Sequence, residues 1–249
     1  IPADSRSNDL WFQHIAIVVS DMDKAYARVQ AAGVAHVSTA PQTLPEYLPN
    51  AAGISAFYFR DPDGHNLELI HFPKKKGKPW WQEKARPAGK GMERPLFLGI
   101  DHTAIGIDQT EEGYAFWREI LKLKVAGHSE NYGTEQEHLN QVFGARLYIT
   151  GLIAHTGFGV VFLDYIAPPG GRPYPADSRP ADLWHWHTTL KVKDLEKLSA
   201  QLSAEGYQLI SQGIVQLDAS TQALMVRDRD GHAVLLEEPE TAAVSTRGG

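Results

Sequence analysis

Glu68 stands in the run Asn66-Leu-Glu-Leu-Ile-His71, with Leu67, Leu69 and Ile70 around it. So apolar and branched a run reads as a strand, and an unpaired carboxylate in mid-strand would be costly to bury. It needs a cation, a hydrogen-bond network or solvent, and a metal ion is the sharpest of these options. Three histidines keep similar company: His14 in Phe12-Gln-His-Ile-Ala16, His102 in Ile100-Asp-His-Thr-Ala104 and His187 in Trp184-His-Trp-His187. Each is flanked as a residue in the middle of a strand would be.

The elements that must position these side chains follow from turn chemistry and periodicity. Asp61-Pro-Asp-Gly64 has proline where φ is pre-set and glycine where φ can turn positive, so it closes a hairpin between Ile54–Arg60 and Asn66–Phe72. Upstream, residues 10–19 read as a buried strand. Ser20, with an acid at Asp23, reads as the N-cap of a helix over Ala25–Ala32 that Gly33 stops. The same order recurs twice. Leu98–Ile107 is a strand, Glu111–Leu121 a helix with an apolar face, and Val142–Ile149 and Gly159–Ile166 are strands. Thr134-Glu-Gln-Glu137 reads as a capping box. A last block holds the strand with His187, a helix over Leu195–Glu205 and three further strands.

Two ordered echoes make this a duplication. Arg60-Asp-Pro-Asp-Gly-His65 returns as Arg227-Asp-Arg-Asp-Gly-His232, and Pro2-Ala-Asp-Ser-Arg6 with Asp9-Leu-Trp11 returns as Pro175-Ala-Asp-Ser-Arg179 with Asp182-Leu-Trp184. The expectation is an α+β chain of tandem βαβββ modules paired into cup-shaped mixed sheets. Module one is 1–73, a basic linker covers 74–96, paired modules 97–170 and 171–239 make up 97–239, and 240–249 is a tail. The linker, with Lys74-Lys-Lys-Gly-Lys-Pro-Trp-Trp81, reads as a solvated tether or as an anion-attracting strap with Trp80 and Trp81 docked on a domain.

At 249 residues the chain can bury a large core. A net charge of −6 argues against a nucleic-acid partner, and the absence of apolar runs near 18 residues argues against a membrane partner. With no cysteine, disulfides, zinc ribbons, iron–sulfur clusters and thiol nucleophiles are excluded. The start at Ile1, without methionine or signal peptide, suggests a fragment or processed form that lacks a preceding module. A cytoplasmic location is expected.

The turn motif, the first-strand histidines and the module length together resemble the vicinal oxygen chelate superfamily. It includes glyoxalase I, methylmalonyl-CoA epimerase, extradiol dioxygenases, and bleomycin- and fosfomycin-resistance proteins. The resemblance covers nearly the whole chain outside the linker. It implies that two modules pair around a divalent metal whose ligands come from the first and last strands of each. Carried over, His14 is the first-strand ligand and Glu68 the last-strand ligand, with His102, His187 and Glu237 as further candidates. Imidazole and carboxylate suit iron(II) first, then manganese, nickel or zinc. The later modules depart from the pattern: Val161 and Leu235 stand where glutamates are expected, with Asp164 and Glu237 nearby. The 97–239 pair therefore reads as metal-free. The remaining ligands for module one would come from a missing N-terminal module, from a second copy in a homodimer, or from a pairing that brings His102 to His14 and Glu68.

The implied activity is that of a metal-dependent enzyme on a small oxygenated substrate, like an extradiol ring-cleaving dioxygenase. The alternatives are a lyase or isomerase of the glyoxalase or epimerase kind, and a metal-free binding or resistance protein. Tyr132, Trp184 and Trp186 are the candidate substrate-binding residues. The bland alternatives are that His14 is a satisfied core histidine and that the aromatics near His187 are core.

Overall fold

The computed structural model describes residues 1–239 apart from 88 and 90, so the tail expected at 240–249 lies outside the described residues. The chain divides into two compact units, Ile1–Asp177 and Ser178–Gly249.

In the first unit, β1 (Gln13–Val19), α1 (Met22–Ala31), the short β2 (Ala35–His36) and β3 (Gln42–Thr43), β4 (Ser55–Arg60) and β5 (Asn66–His71) form module one. After α2 (Pro79–Lys84) come β6 (Phe97–Ile107), α3 (Thr110–Tyr114) running into a π-helical turn (Ala115–Ile120), β7 (Lys124–Tyr132), α4 (Thr134–Asn140), β8 (Arg146–Ile153) and β9 (Gly159–Ala167). Their strands lie in the order β2-β4-β5-β1-β6-β9-β8-β7, with β3 also on β4. The first strand of each module runs parallel to its last, β1 with β5 and β6 with β9, and β1 and β6 join antiparallel at the centre.

This corrects the expected pairing. Module one joins the module at 97–168, so the third of the three routes is the one found, and the metal-free pair 97–170 with 171–239 does not form as one sheet. Isolated module sequences show that β1 and β6 are strands with free edges to pair, but not which edge meets which.

The faces of the sheet follow from strand alternation. On one face Val19, Phe57, Phe59 and Leu69 pack under α1 around Met22 and Ala25. On the other, Ala16, Val18 and Ile70 pack against Trp81 of α2. Of the two linker tryptophans, Trp81 is buried against the sheet, as in the strap reading, while Trp80 is about half exposed. α1 is capped by Asp21, whose carboxylate accepts from the Lys24 N–H at 3.0 Å, one residue later than expected at Ser20. α4 starts from Gly133 without a side-chain cap, so the Thr134–Glu137 capping box is not made; Thr134 already lies inside the helix.

The second unit holds β10 (His187–Lys191), α5 (Leu195–Ala204), β11 (Val215–Asp218), β12 (Thr221–Arg227) and β13 (Ala233–Pro239), in the sheet order β10-β13-β12-β11. The sequence echoes mark the same construction in both units. Gly64 (φ +92°) and Gly231 (φ +98°) take the left-handed conformation their turns require. Asp61 and Asp228 each accept two backbone N–H bonds within those turns. Arg60 reaches back to donate to the Ser5 carbonyl at 2.9 Å, and Arg227 donates to the Ser178 carbonyl at 3.0 Å.

Candidate metal centre

β5 carries Glu68 level with Ala16 of β1, and β1 carries Ala16 level with His102 of β6. Glu68, Ala16 and His102 thus form one row across three strands, with His14 two residues along β1 on the same face. Ala16 has no side chain beyond Cβ, which leaves the space between the row's two ends open. Glu68 Oε2 lies 3.1 Å from His14 Nε2 and 3.6 Å from His102 Nε2. The three donor atoms lie within 4.8 Å of one another, and this is the group of three potential metal donors found among the described residues.

The burial of these donors is informative. His14 and Glu68 are buried and His102 half-buried. Neither His14 nitrogen makes a hydrogen bond of proper geometry, although Glu68 Oε2 is near. The ring is held instead by packing, its centroid 4.8 Å from that of Tyr58 and 5.8 Å from those of Phe12 and His102. Burial, with a smaller contribution from His102, pushes the His14 pKa below the usual imidazole range against the pull of Glu68, so the ring is neutral and keeps a lone pair. Two imidazoles and a carboxylate, aimed at one point with a buried nitrogen left unpaired, fit a divalent cation.

His102 Nδ1 lies 3.1 Å from Asp101 Oδ2. The other Asp101 oxygen, Oδ1, accepts from Trp81 Nε1 at 2.5 Å and lies 3.1 Å from Lys78 Nζ. Burial would raise the Asp101 pKa, but His102, Trp81 and Lys78 outweigh it and bring it to about 2.

The three donors open on a cavity of about 650 Å³, within the range of small-molecule sites. Ile54, Ile70, Phe72 and Leu163 supply apolar wall, and Tyr58, Asn131 and Gln136 supply polar groups. Burial and the nearby Glu68 raise the Tyr58 pKa well above its usual value, so its hydroxyl stays protonated. At the far wall Gln136 is hydrogen-bonded to Asn140, and Asn140 donates to the Tyr165 hydroxyl at 2.6 Å.

Of the sequence candidates, the structure brings together His14, Glu68 and His102. Tyr132 lies outside the cavity: alternation along β7 turns Asn131 inward, and Tyr132 packs beside Tyr47 with ring centroids 5.5 Å apart. Trp184, Trp186, His187 and Glu237 belong to the second unit. There Trp184 Nε1 donates to Asp182 at 3.3 Å, and exposed His187 pairs with His185 at 3.2 Å. Among the described residues, no second group of three donors includes His187 or Glu237. His65 and His232 each follow the glycine of their turn; His65 is half-buried and His232 buried.

Register fixes the equivalents of Glu68 in the two later modules. Ala104, two residues after His102, pairs with Val161; Thr189, two residues after His187, pairs with Leu235. Both are the equivalents of Ala16 paired with Glu68. Asp164, the carboxylate nearest Val161 in sequence, accepts from the N–H and hydroxyl of Thr110 at the start of α3. Glu238 accepts from the backbone N–H groups of Asp194 and Leu195 at the start of α5. Sequence reading passed over Tyr58, although its place opposite Glu68 in the hairpin was available, and over Asp101, the one acid in an apolar strand.

Because Ala16 stands between Glu68 and His102, Ala16→Leu should fill the space between the donors while sparing all three. Overpacking of this kind costs about 1–3 kcal/mol. The expected result in a manganese(II) titration of the folded variant is a loss of binding that equals the loss on removing a ligand.

The family model of the Glyoxalase/Bleomycin resistance protein/Dioxygenase superfamily matches residues 2–69 and 99–236, and the chain belongs to that superfamily. No curated protein matches it significantly. Among solved structures, glyoxalase I from Zea mays superposes with a TM-score of 0.57 at 14% identity, over 90% of this chain and 66% of that one. A glyoxalase family protein from Bacillus cereus gives 0.50 at 19% identity, over 60% of this chain and 99% of that one. A Bacillus subtilis protein provisionally named a dioxygenase gives 0.52 at 11% identity, over 95% of this chain and 64% of that one. This chain spans about two thirds of the length of the maize enzyme. These likenesses carry the fold, a mixed α+β architecture of two mixed sheets. Among the described residues no helix is long and apolar enough to cross a membrane.

Proposed function

We propose that the first unit is a metal-dependent oxygenase that cleaves the ring of a catechol-like substrate, using iron(II) held by His14, Glu68 and His102. The observation that carries this reading is Val161. At the register where a fourth protein ligand would stand, the chain has an apolar side chain lining the cavity. Three donors, two imidazoles and one carboxylate on one side, with the remaining positions free, match the donor set of non-haem iron(II) oxygenases. A four-donor arrangement would leave less room for two exogenous ligands.

When bound, such an ion supplies Lewis acidity toward a substrate that chelates through adjacent oxygens and, as iron(II), an electron source for dioxygen. The chain's own groups do the rest. His14, Glu68 and His102 fix the position from one side. Ile70, Phe72 and Leu163 enclose an aromatic ring and keep water from it. Tyr58, held protonated by burial, offers an O–H donor to a substrate oxygen and does not act as a base near neutral pH. Asn131 and Gln136 offer amides to a polar substituent on the ring.

The test is anaerobic reconstitution with iron(II), followed by catechol and 4-substituted catechols in an oxygen electrode. The expected result is one dioxygen consumed per ring opened, with a yellow ring-fission product, and no turnover by His102→Ala. Oxygen-independent conversion of a hemithioacetal by nickel- or zinc-loaded protein would instead establish lyase chemistry. Tight uptake of small aromatic ligands by metal-free protein, unchanged in Glu68→Ala, would establish a binding protein.

A further inference from the structure

The strap between modules one and two does more than connect them. Lys78 and Trp81 lie at the start of α2, and both reach the residue before His102. Trp81 Nε1 donates to Asp101 Oδ1 at 2.5 Å, and Lys78 Nζ sits 3.1 Å from that oxygen while donating to the Asp101 carbonyl at 2.9 Å. The carboxylate is thereby held by its Oδ1, which leaves Oδ2 fixed 3.1 Å from His102 Nδ1. With Nδ1–H donating to Oδ2, His102 is held in the tautomer whose Nε2 lone pair faces Glu68.

The seat of the strap is built for this contact. Trp81 is 4% exposed and packs with Ala16, Val18 and Ile70, on the cavity side of the sheet. Gly99 lies beside the indole, where its φ of +137° favours glycine and a Cβ would stand in ordinary contact 3.4 Å from the Trp81 ring. Lys84 lies over the outer face of the indole, 4.8 Å from its centroid. His14 has no such support, since its Nδ1 makes no hydrogen bond.

We propose that Lys78 and Trp81 are positioning residues of the metal centre, which act through Asp101 to orient His102. The segment joining the two modules is then part of the site it runs past, so metal affinity depends on residues that touch neither the metal nor the cavity. This rests on the reading of His14, Glu68 and His102 as ligands. A plainer role for the contact is also open to test, in which Trp81 and Lys78 only satisfy a buried aspartate and hold the strap down.

The two are separated by cobalt(II) binding, with d–d absorption as a probe of ligand geometry, in the full chain and in Trp81→Phe, Lys78→Met and His14→Ala. Trp81→Phe keeps an aromatic ring and removes the N–H. Loss of a group hydrogen-bonded directly to a ligand costs on the order of 10–100-fold in metal affinity, and Trp81 and Lys78 stand one group further out, behind Asp101. The expected result is a weakening near the low end, about tenfold, in Trp81→Phe and Lys78→Met with a changed absorption envelope, and near-complete loss in His14→Ala. Thermal melting of the metal-free variants runs alongside. Lower melting temperature with unchanged cobalt affinity and spectrum would overturn the proposal and leave the ligand assignment standing. Failure of the unaltered chain to bind cobalt would overturn both. Should Trp81→Phe not fold, Lys78→Met alone decides by the same readouts.

Discussion

Glu68→Ala is expected to abolish metal binding while leaving the metal-free chain as stable as before, or more so. The carboxylate faces both imidazoles, and its removal takes the one negative charge from the donor set. Removing mere support for a ligand costs about 10–100-fold in affinity, so deletion of a ligand should cost more than about 100-fold. The stability side has the opposite sign. Glu68 is 4% exposed, and its nearest partner, His14, is held neutral by burial, so no full ion pair repays the desolvation of the carboxylate. A cluster kept for structural reasons would behave differently: truncating Glu68 would leave His14 with a less favourable setting and lower the melting temperature. The measurement is thermal unfolding with and without manganese(II). For the unaltered chain, a ligand at one hundred times its Kd adds about 2.7 kcal/mol; for Glu68→Ala the two curves should coincide. A metal-free variant that melts well below the unaltered chain would count against a ligand role.

The second large effect is on the fold of module two. Phe162 is fully buried on β9, with Tyr114 and Trp117 at ring-centroid distances of 6.3 and 6.2 Å. It also fills the space against Gly113, where a Cβ would come within 2.8 Å of the ring. Phe162→Ala should therefore destabilise the first unit by about 3–5 kcal/mol, against a total of about 5–15 kcal/mol for a typical domain. Urea unfolding followed by tryptophan fluorescence would show a lowered midpoint with an unchanged slope. Because β6 pairs with β9 from His102 to Ile107, metal affinity should fall in step. A midpoint within the error of the unaltered chain would mean that the packing around α3 is not a major support of this unit.

Much of this molecule was legible in its residues, for reasons that differ from place to place. The hairpin around Gly64 declared itself through turn chemistry, and Glu68 through the cost of a carboxylate among leucines. Val161 was found as the wrong residue type at the expected position, and register later placed it opposite Ala104 as Glu68 stands opposite Ala16. The partner of module one was not legible. Edge pairing between β1 and β6 depends on the shapes of whole sheets, and a local pattern carries no trace of it. The strap was legible only as one of two readings, because Lys78 and Trp81 sit in a segment whose composition is that of a linker. Their role depends on Asp101, twenty or more residues away, and only folding brings these groups together. Tyr132 failed for a simpler reason: on a strand a shift of one residue reverses the face.

The bond from Arg60 to the Ser5 carbonyl, matched by Arg227 and Ser178, bears on what was copied when this chain acquired its repeats. In each case the arginine of the turn motif fastens a lead-in segment that comes well before the first strand. The repeated piece is therefore the strand-rich body together with its own clasp, and the echo of Pro2-Ala-Asp-Ser-Arg6 in Pro175-Ala-Asp-Ser-Arg179 marks where it begins. Anyone exchanging repeats between such chains should cut ahead of Pro175 rather than at the first residue of β10, because a graft that begins at the strand leaves Arg227 without the carbonyl it evolved to hold.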